Sequence, residues 1–181
     1  MALKNSPTFD SRDRAETILA IPTEFDGWRC KSRTEARWLV FFKTFGIQYE
    51  FEPQGFVLND GSCFQPDLYL PSIRFWAEIK PTYLNGTEER KCRLLADGTG
   101  FPCLFLVGVP TFKSYYAATW DSGHYTVVDY SLDVDNHWRL YEEGRLFSQP
   151  DYRTPPDENQ FSAPYQHAVY SARGYDFEGK R

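Results

Sequence analysis

The chain predicts an α/β fold class, a central mixed β-sheet flanked by helices. Three observations carry the prediction. A helix with both ends marked lies near residues 33–45. Runs of alternating apolar and polar residues follow it between 47 and 80. Between 74 and 107 come a strand, a charged helix and a continuous apolar strand, the pattern of a βαβ crossover with parallel strands.

Taken in order, residues 1–20 are polar and charged and read as a flexible N-terminal arm. Residues 21–30 read as an extended pair turning at Asp26-Gly27. Ser32 is an N-cap with Glu35 at capping-box spacing, and Gly46 is a C-terminal stop. Glu35, Leu39 and Phe42 share one face of the helix between them, so Glu35 heads an apolar stripe. Ile47–Phe51 alternates as a strand. Phe56–Leu58 turns at Asn59-Asp60-Gly61 into a strand over 63–70, and a further strand spans 74–80. Glu88–Ala96 reads as a charged helix ended by Asp97-Gly98-Thr99-Gly100. Cys103–Gly108 is a strand covered on both faces. Further strands are expected near Tyr125–Tyr130 and Trp138–Tyr141, and residues 148–181 form a tail that wraps the domain or is partly disordered.

The length of 181 residues suits one domain, read as 21–147. Aromatic residues make up 18% of the chain, so rings are expected to dominate its packing. Cys30, Cys63, Cys92 and Cys103 form no C-x-x-C pair and match no zinc module, so they read as reduced, mostly buried thiols. His124, His137 and His167 are scattered and show no metal spacing. No run is apolar enough to span a membrane or to act as a signal peptide, so a cytoplasmic protein is expected. The net charge of −5 opposes a strong sequence-blind grip on nucleic acid and suggests either modest intrinsic affinity or a partner that delivers the substrate.

Pro66-Asp67 and Glu78-Ile79-Lys80 place two carboxylates and a lysine on strands expected to pair. Asp67, Glu78 and the Ile79 carbonyl can offer hard oxygen ligands to Mg²⁺ or Mn²⁺. Glu35, leaning in from the helix, can hold water or a second ion. Lys80 shares the strand face of Glu78, where it can orient the attacking water or stabilise charge on a phosphate. Trp76 is also on that face, which implies that the face is covered and that its charges need a partner or a metal.

In its order of residues, Glu35, Pro66-Asp67 and Glu78-Ile79-Lys80, the chain resembles the PD-(D/E)XK nuclease superfamily. Tyr49-Glu50-Phe51-Glu52-Pro53 before the aspartate and Pro81 after the lysine add to the likeness, which covers about residues 20–110. It is similar to small nucleases of phages and mobile elements and to end-cutting endonuclease subunits of transposases, which implies the cytoplasm of a bacterial or phage-infected host cell. The resemblance implies a restriction-endonuclease-like core and a Mg²⁺-dependent deoxyribonuclease of the endonuclease type acting on DNA. Leu68 after Asp67 departs from the pattern, and residues 111–181 carry no motif of the family.

Each of these residues also has a plainer reading. Glu35 can serve as a capping residue, Asp67 as a turn residue, and Glu78 and Lys80 as neighbours on an edge strand. Arg33, Arg37 and Lys91 read either as a solvated surface or as DNA phosphate contacts. Phe161, Tyr165, Tyr170 and Tyr175 are expected to dock on the domain or on another chain rather than stack on bases. Two rival functions stand beside the nuclease: a non-catalytic binding or assembly protein on the same fold, such as a virion component, and a nuclease subunit active only with a protein partner. A homodimer is compatible with all three.

Overall fold

The computed structural model describes residues 20–82, 84–113, 115–121, 124–130, 132–133 and 158–179. The arm expected at 1–20, Ala20 apart, and the strand expected near Trp138–Tyr141 lie outside them. Strands β1 (Thr23–Phe25) and β2 (Trp28–Cys30) pair antiparallel about Asp26 and Gly27, whose φ angles are 52° and 80°. Two central residues at positive φ give the turn whose twist suits a hairpin. Helix α1 (Arg33–Phe45) matches the expected span. The Ser32 hydroxyl accepts the Glu35 N–H, and Gly46, at φ 84°, donates its N–H to the Phe42 carbonyl.

Strand β3 (Glu50–Phe51) is shorter than the alternating run around it. β4 (Phe56–Val57) and β5 (Cys63–Phe64) pair with each other alone. The strand expected over 63–70 is therefore interrupted. Gln65 turns its amide onto the carbonyls of Glu52 and Pro53 at 3.1 and 2.7 Å, and Pro66 has no N–H to offer a ladder. β6 (Leu68–Leu70) begins afresh beside β7 (Phe75–Lys80). Helix α2 (Gly86–Thr99) starts earlier and ends later than expected, capped by Asn85 and closed by Gly100 at φ 69°. β8 (Cys103–Val107) lies parallel to β7, as the crossover pattern predicts. β9 (Tyr115–Asp121) was not foreseen; it pairs with β8 and with β10 (His124–Tyr130).

Among the described residues the main sheet is six-stranded and mixed, in the order β10-β9-β8-β7-β6-β3. Alternation along its strands divides the core into two layers. Leu68, Leu70, Ala77, Ile79, Leu104, Leu106 and Ala117 face α1. Tyr69, Trp76, Cys103, Phe105 and Ala118 face α2 and the β4–β5 hairpin, meeting Cys92, Leu95 and Phe56. The apolar run of β8 is thus buried on both sides.

The segment after Ser148 supplies helix α3 (Ala163–Gly174) within its described part. Tyr165, Ala168, Val169 and Ala172 are fully buried in the layer that holds α1. Tyr165 stands 5.3 Å from Phe41 and 5.5 Å from Phe45, ring to ring, and its hydroxyl donates to the Thr111 carbonyl at 2.8 Å. Such ring pairs contribute about 0.5–1.5 kcal/mol beyond the area they bury. This part of the tail belongs to the core, because its small residues let α3 lie close on the aromatic face of α1. Cys30, Cys92 and Cys103 are buried, Cys63 is exposed, and all four are free thiols. Among the described residues, no helix is long and apolar enough to cross a membrane.

Candidate active site

The site is built where β6 meets β7. Leu68 lies opposite Ala77 and Tyr69 opposite Trp76, and one step further along the same register sets Asp67 beside Glu78. Both carboxylates then lie on the α2 side, since Leu68 and Ala77 point to α1. Directly opposed residues bring their Cβ atoms to about 4.5–5.5 Å. Asp67 Oδ2 accepts the Ile79 N–H at 2.7 Å, taking the donor just past the last ladder pair. A strand residue turns its N–H and C=O to the same neighbour, so the Ile79 carbonyl faces Asp67 as well.

Glu78 is 4% exposed. Its Oε1 lies 2.7 Å from Lys80 Nζ, while its Oε2 is buried without a hydrogen-bond partner. Lys80 reaches a second acid, Glu88, at 3.6 Å. Glu88 is fixed in turn as the third residue of the α2 capping box. Its Oε2 accepts the Asn85 N–H at 2.9 Å, and Asn85 Oδ1 accepts the Glu88 N–H at 3.0 Å.

Burial and the neighbouring Glu78 charge push the Asp67 carboxyl up to about 7, against the Ile79 N–H and Lys80, which favour its charged form. Burial also raises Glu78, with Lys80 opposing. For Lys80, burial disfavours the ammonium, but its hydrogen bond to Glu78 and the nearby acids hold it above its ordinary value. One lysine cannot neutralise two carboxylates on a covered surface.

A buried carboxylate oxygen without a donor calls for an ion or water. Asp67, Glu78 and the Ile79 carbonyl are hard oxygen donors of the kind Mg²⁺ and Mn²⁺ take. These residues therefore fit a divalent cation.

Glu35 is buried at the first turn of α1, but both its oxygens have protein partners. Oε1 accepts from the Ser32 hydroxyl at 3.1 Å and Oε2 from the Lys31 N–H at 2.8 Å. Its charge still reaches Asp67 and raises it slightly further. Among the described residues no three or more His, Cys, Asp and Glu side chains gather as a metal group, so the expected Glu35–Asp67–Glu78 set does not assemble as one cluster. The capping geometry draws the glutamate back to its own helix start.

The expected phosphate contacts are also engaged elsewhere. Arg37 donates to the Ala172 carbonyl and, at 2.7 Å, to that of Arg173, and its guanidinium lies over the Phe177 ring. Cations at the C-terminal end of a helix are held by its unsatisfied carbonyls. Arg33 pairs with Glu178 at 3.1 Å. Lys91 donates to the Cys63 carbonyl at 3.1 Å, tying α2 to the β4–β5 hairpin.

No protein-family model matches this chain, and no curated protein does. The site therefore rests on its geometry.

Two neighbours of the site were missed in the sequence. Glu88 had a readable signal, since Asn85-x-x-Glu88 has capping-box spacing. The pair Lys31 and Glu52, 2.5 Å apart, had none.

The Asp67 shift has a stability consequence. Its ordinary value is 3.8, and in the fold it is raised to about 7. Between those values the folded, metal-free chain keeps a proton that the unfolded chain has released, so stability falls as pH rises through this window. Asp67→Asn, which keeps an oxygen for the Ile79 N–H, is expected to flatten that decline. At pH about 8 it should melt about 2–4 °C higher than wild type. A variant that melts lower at that pH, with an unchanged pH slope, contradicts the assignment.

Proposed function

We propose that this chain is a metal-dependent DNA nuclease that hydrolyses phosphodiester bonds, with a restriction-endonuclease-like core. The supporting observation is the buried, partnerless Glu78 Oε2 beside Asp67, with Lys80 on the same strand face. Asp67, Glu78 and the Ile79 carbonyl would hold Mg²⁺ or Mn²⁺. Bound there, the ion supplies positive charge that polarises the phosphate and makes water a better nucleophile.

The chain's own groups do the rest. Asp67 is anchored on the Ile79 N–H through one oxygen and offers the other to the site. Glu78 and Glu88 hold Lys80 so that its ammonium faces the phosphate, where it donates to the oxygens that gain charge in the transition state. Glu35 organises the mouth by fixing the Lys31 N–H and the Ser32 hydroxyl. Water adds to phosphorus, the bond to the leaving deoxyribose oxygen breaks, and that oxygen takes up a proton.

A nuclease subunit that needs a partner is the second reading. The net charge of −5 favours it, as does the engagement of Arg33 and Arg37 within the chain, which takes two of the expected phosphate contacts away from DNA.

Plasmid nicking tests the main reading. Wild type is expected to nick with Mg²⁺ or Mn²⁺ and to stop on chelation. Lys80→Ala is expected to nick about 10²-fold more slowly. Equal rates for the two proteins would remove Lys80 from the reaction.

A further inference from the structure

The ion pair of Lys31 and Glu52 stands at the exposed rim of the carboxylate site. The Lys31 side chain is 68% exposed, against 29% for Lys80. The site's own residues hold both members in place. The Lys31 N–H donates to Glu35 Oε2 at 2.8 Å, and the Glu52 N–H donates to the Asp67 carbonyl at 2.8 Å. The pair thus joins the start of α1 to the chain entering β6. Glu52 does this at φ 45°, a left-handed backbone that a residue with a Cβ adopts only at a cost. Gln65 supports it there by donating to the Glu52 carbonyl at 3.1 Å. An exposed ion pair adds little stability, so stability does not account for the strain. The strain does hold an ammonium where the charges of Glu52, Asp67 and Glu35 all reach it.

Resting on the nuclease reading, we propose that Lys31 is a second phosphate-contacting residue. Its ammonium leaves Glu52 for a non-bridging oxygen of the DNA strand that lies across Asp67 and Glu78, and Glu52 competes with that phosphate for it. The two lysines then divide the work. Lys80, deep on β7, serves the reacting phosphate, and Lys31, at the mouth, holds the strand. With Arg37 committed to α3 and Arg33 to Glu178, Lys31 is a well-placed exposed cation for an incoming strand.

The test is DNA binding by fluorescence anisotropy across a salt series, with Ca²⁺ in place of Mg²⁺. A duplex and a single-stranded oligonucleotide serve as probes. Lys31→Ala is expected to weaken binding about tenfold and to reduce the salt slope by about one, and Lys31→Arg to restore both. Glu52→Gln is expected to tighten binding, because it removes the competing anion. A pair with a merely structural role would weaken binding in both variants, and that result overturns the proposal. Wild type that nicks plasmid while Lys31→Ala binds with unchanged affinity and slope overturns this proposal alone. Wild type that neither binds either probe nor nicks overturns the nuclease reading and this proposal with it.

Discussion

Glu78→Gln is expected to lower Mg²⁺-dependent nicking by about 10²–10³-fold and to leave thermal stability equal to or above that of wild type. The two halves of this expectation have one cause. Glu78 is 4% exposed, has one oxygen on Lys80 and leaves the other without a donor. A residue kept for stability would not be left in that state, since burying a carboxylate oxygen unpaired opposes folding. Glutamine keeps the volume and one oxygen for Lys80, and its amide group can donate where the carboxylate could only accept. The fold therefore tolerates the change, while the site loses a charge that a divalent ion needs. Mg²⁺ adds a third readout. An ion that binds only the folded chain raises the melting temperature by mass action. That rise is expected in wild type and absent in Glu78→Gln. A variant that nicks at the wild-type rate, or that keeps the full Mg²⁺ shift, would show that Glu78 does not hold the ion.

The largest loss of stability is expected from Trp38→Ala, at about 3–5 kcal/mol. Trp38 is fully buried, with ring centroids 5.4 Å from Phe41, 5.7 Å from Phe42 and 5.1 Å from Tyr115. Its Nε1 donates to the Gly108 carbonyl at 2.8 Å. Alanine leaves a large void in that ring cluster and strips Gly108 of its donor. Gly108 also donates its own N–H to the Lys80 carbonyl at 2.8 Å, so the disturbance reaches the end of β7. Trp38→Phe keeps most of the packing and is expected to cost only about 1 kcal/mol for the lost hydrogen bond. Denaturant midpoints at constant slope measure both variants. Equal losses in the two would mean that packing around the ring is not what Trp38 contributes.

Much of the layout is legible in local rules. Ser32, Glu35 and Gly46 mark α1 to the residue, because cap chemistry is set by the few residues at each end. The pairing of Asp67 with Glu78 follows from two strands joined by the Pro71-Ser72 turn. Elsewhere a legible rule was outweighed. Gly86 opens α2, yet glycine is a poor helix former, and it masks the box formed by Asn85 and Glu88. Tyr165, Ala168, Val169 and Ala172 have the i, i+3, i+4, i+7 spacing of a helix face. Two of them are alanines, and the Pro, Gln and Asn around them suggest a tail that wraps the domain or is partly disordered. β9 places Ala117 and Ala118 on opposite layers of the core, and alanine pairs carry almost no strand signal.

Other features are not local at all. The backbone of Glu52 is left-handed without a glycine to announce it. No spacing rule links Arg37 to carbonyls at the far end of α3, or Glu35 to the Lys31 N–H in preference to a metal.

Of the four thiols, only Cys63 is open to solvent. A maleimide dye should therefore couple to native protein at a single place, on a hairpin held to α2 by Lys91 and packed through Phe56 against Trp76. That gives a built-in reporter a few residues from Asp67. The dye's own emission would then report displacement of the hairpin when a strand enters, without any engineered label position.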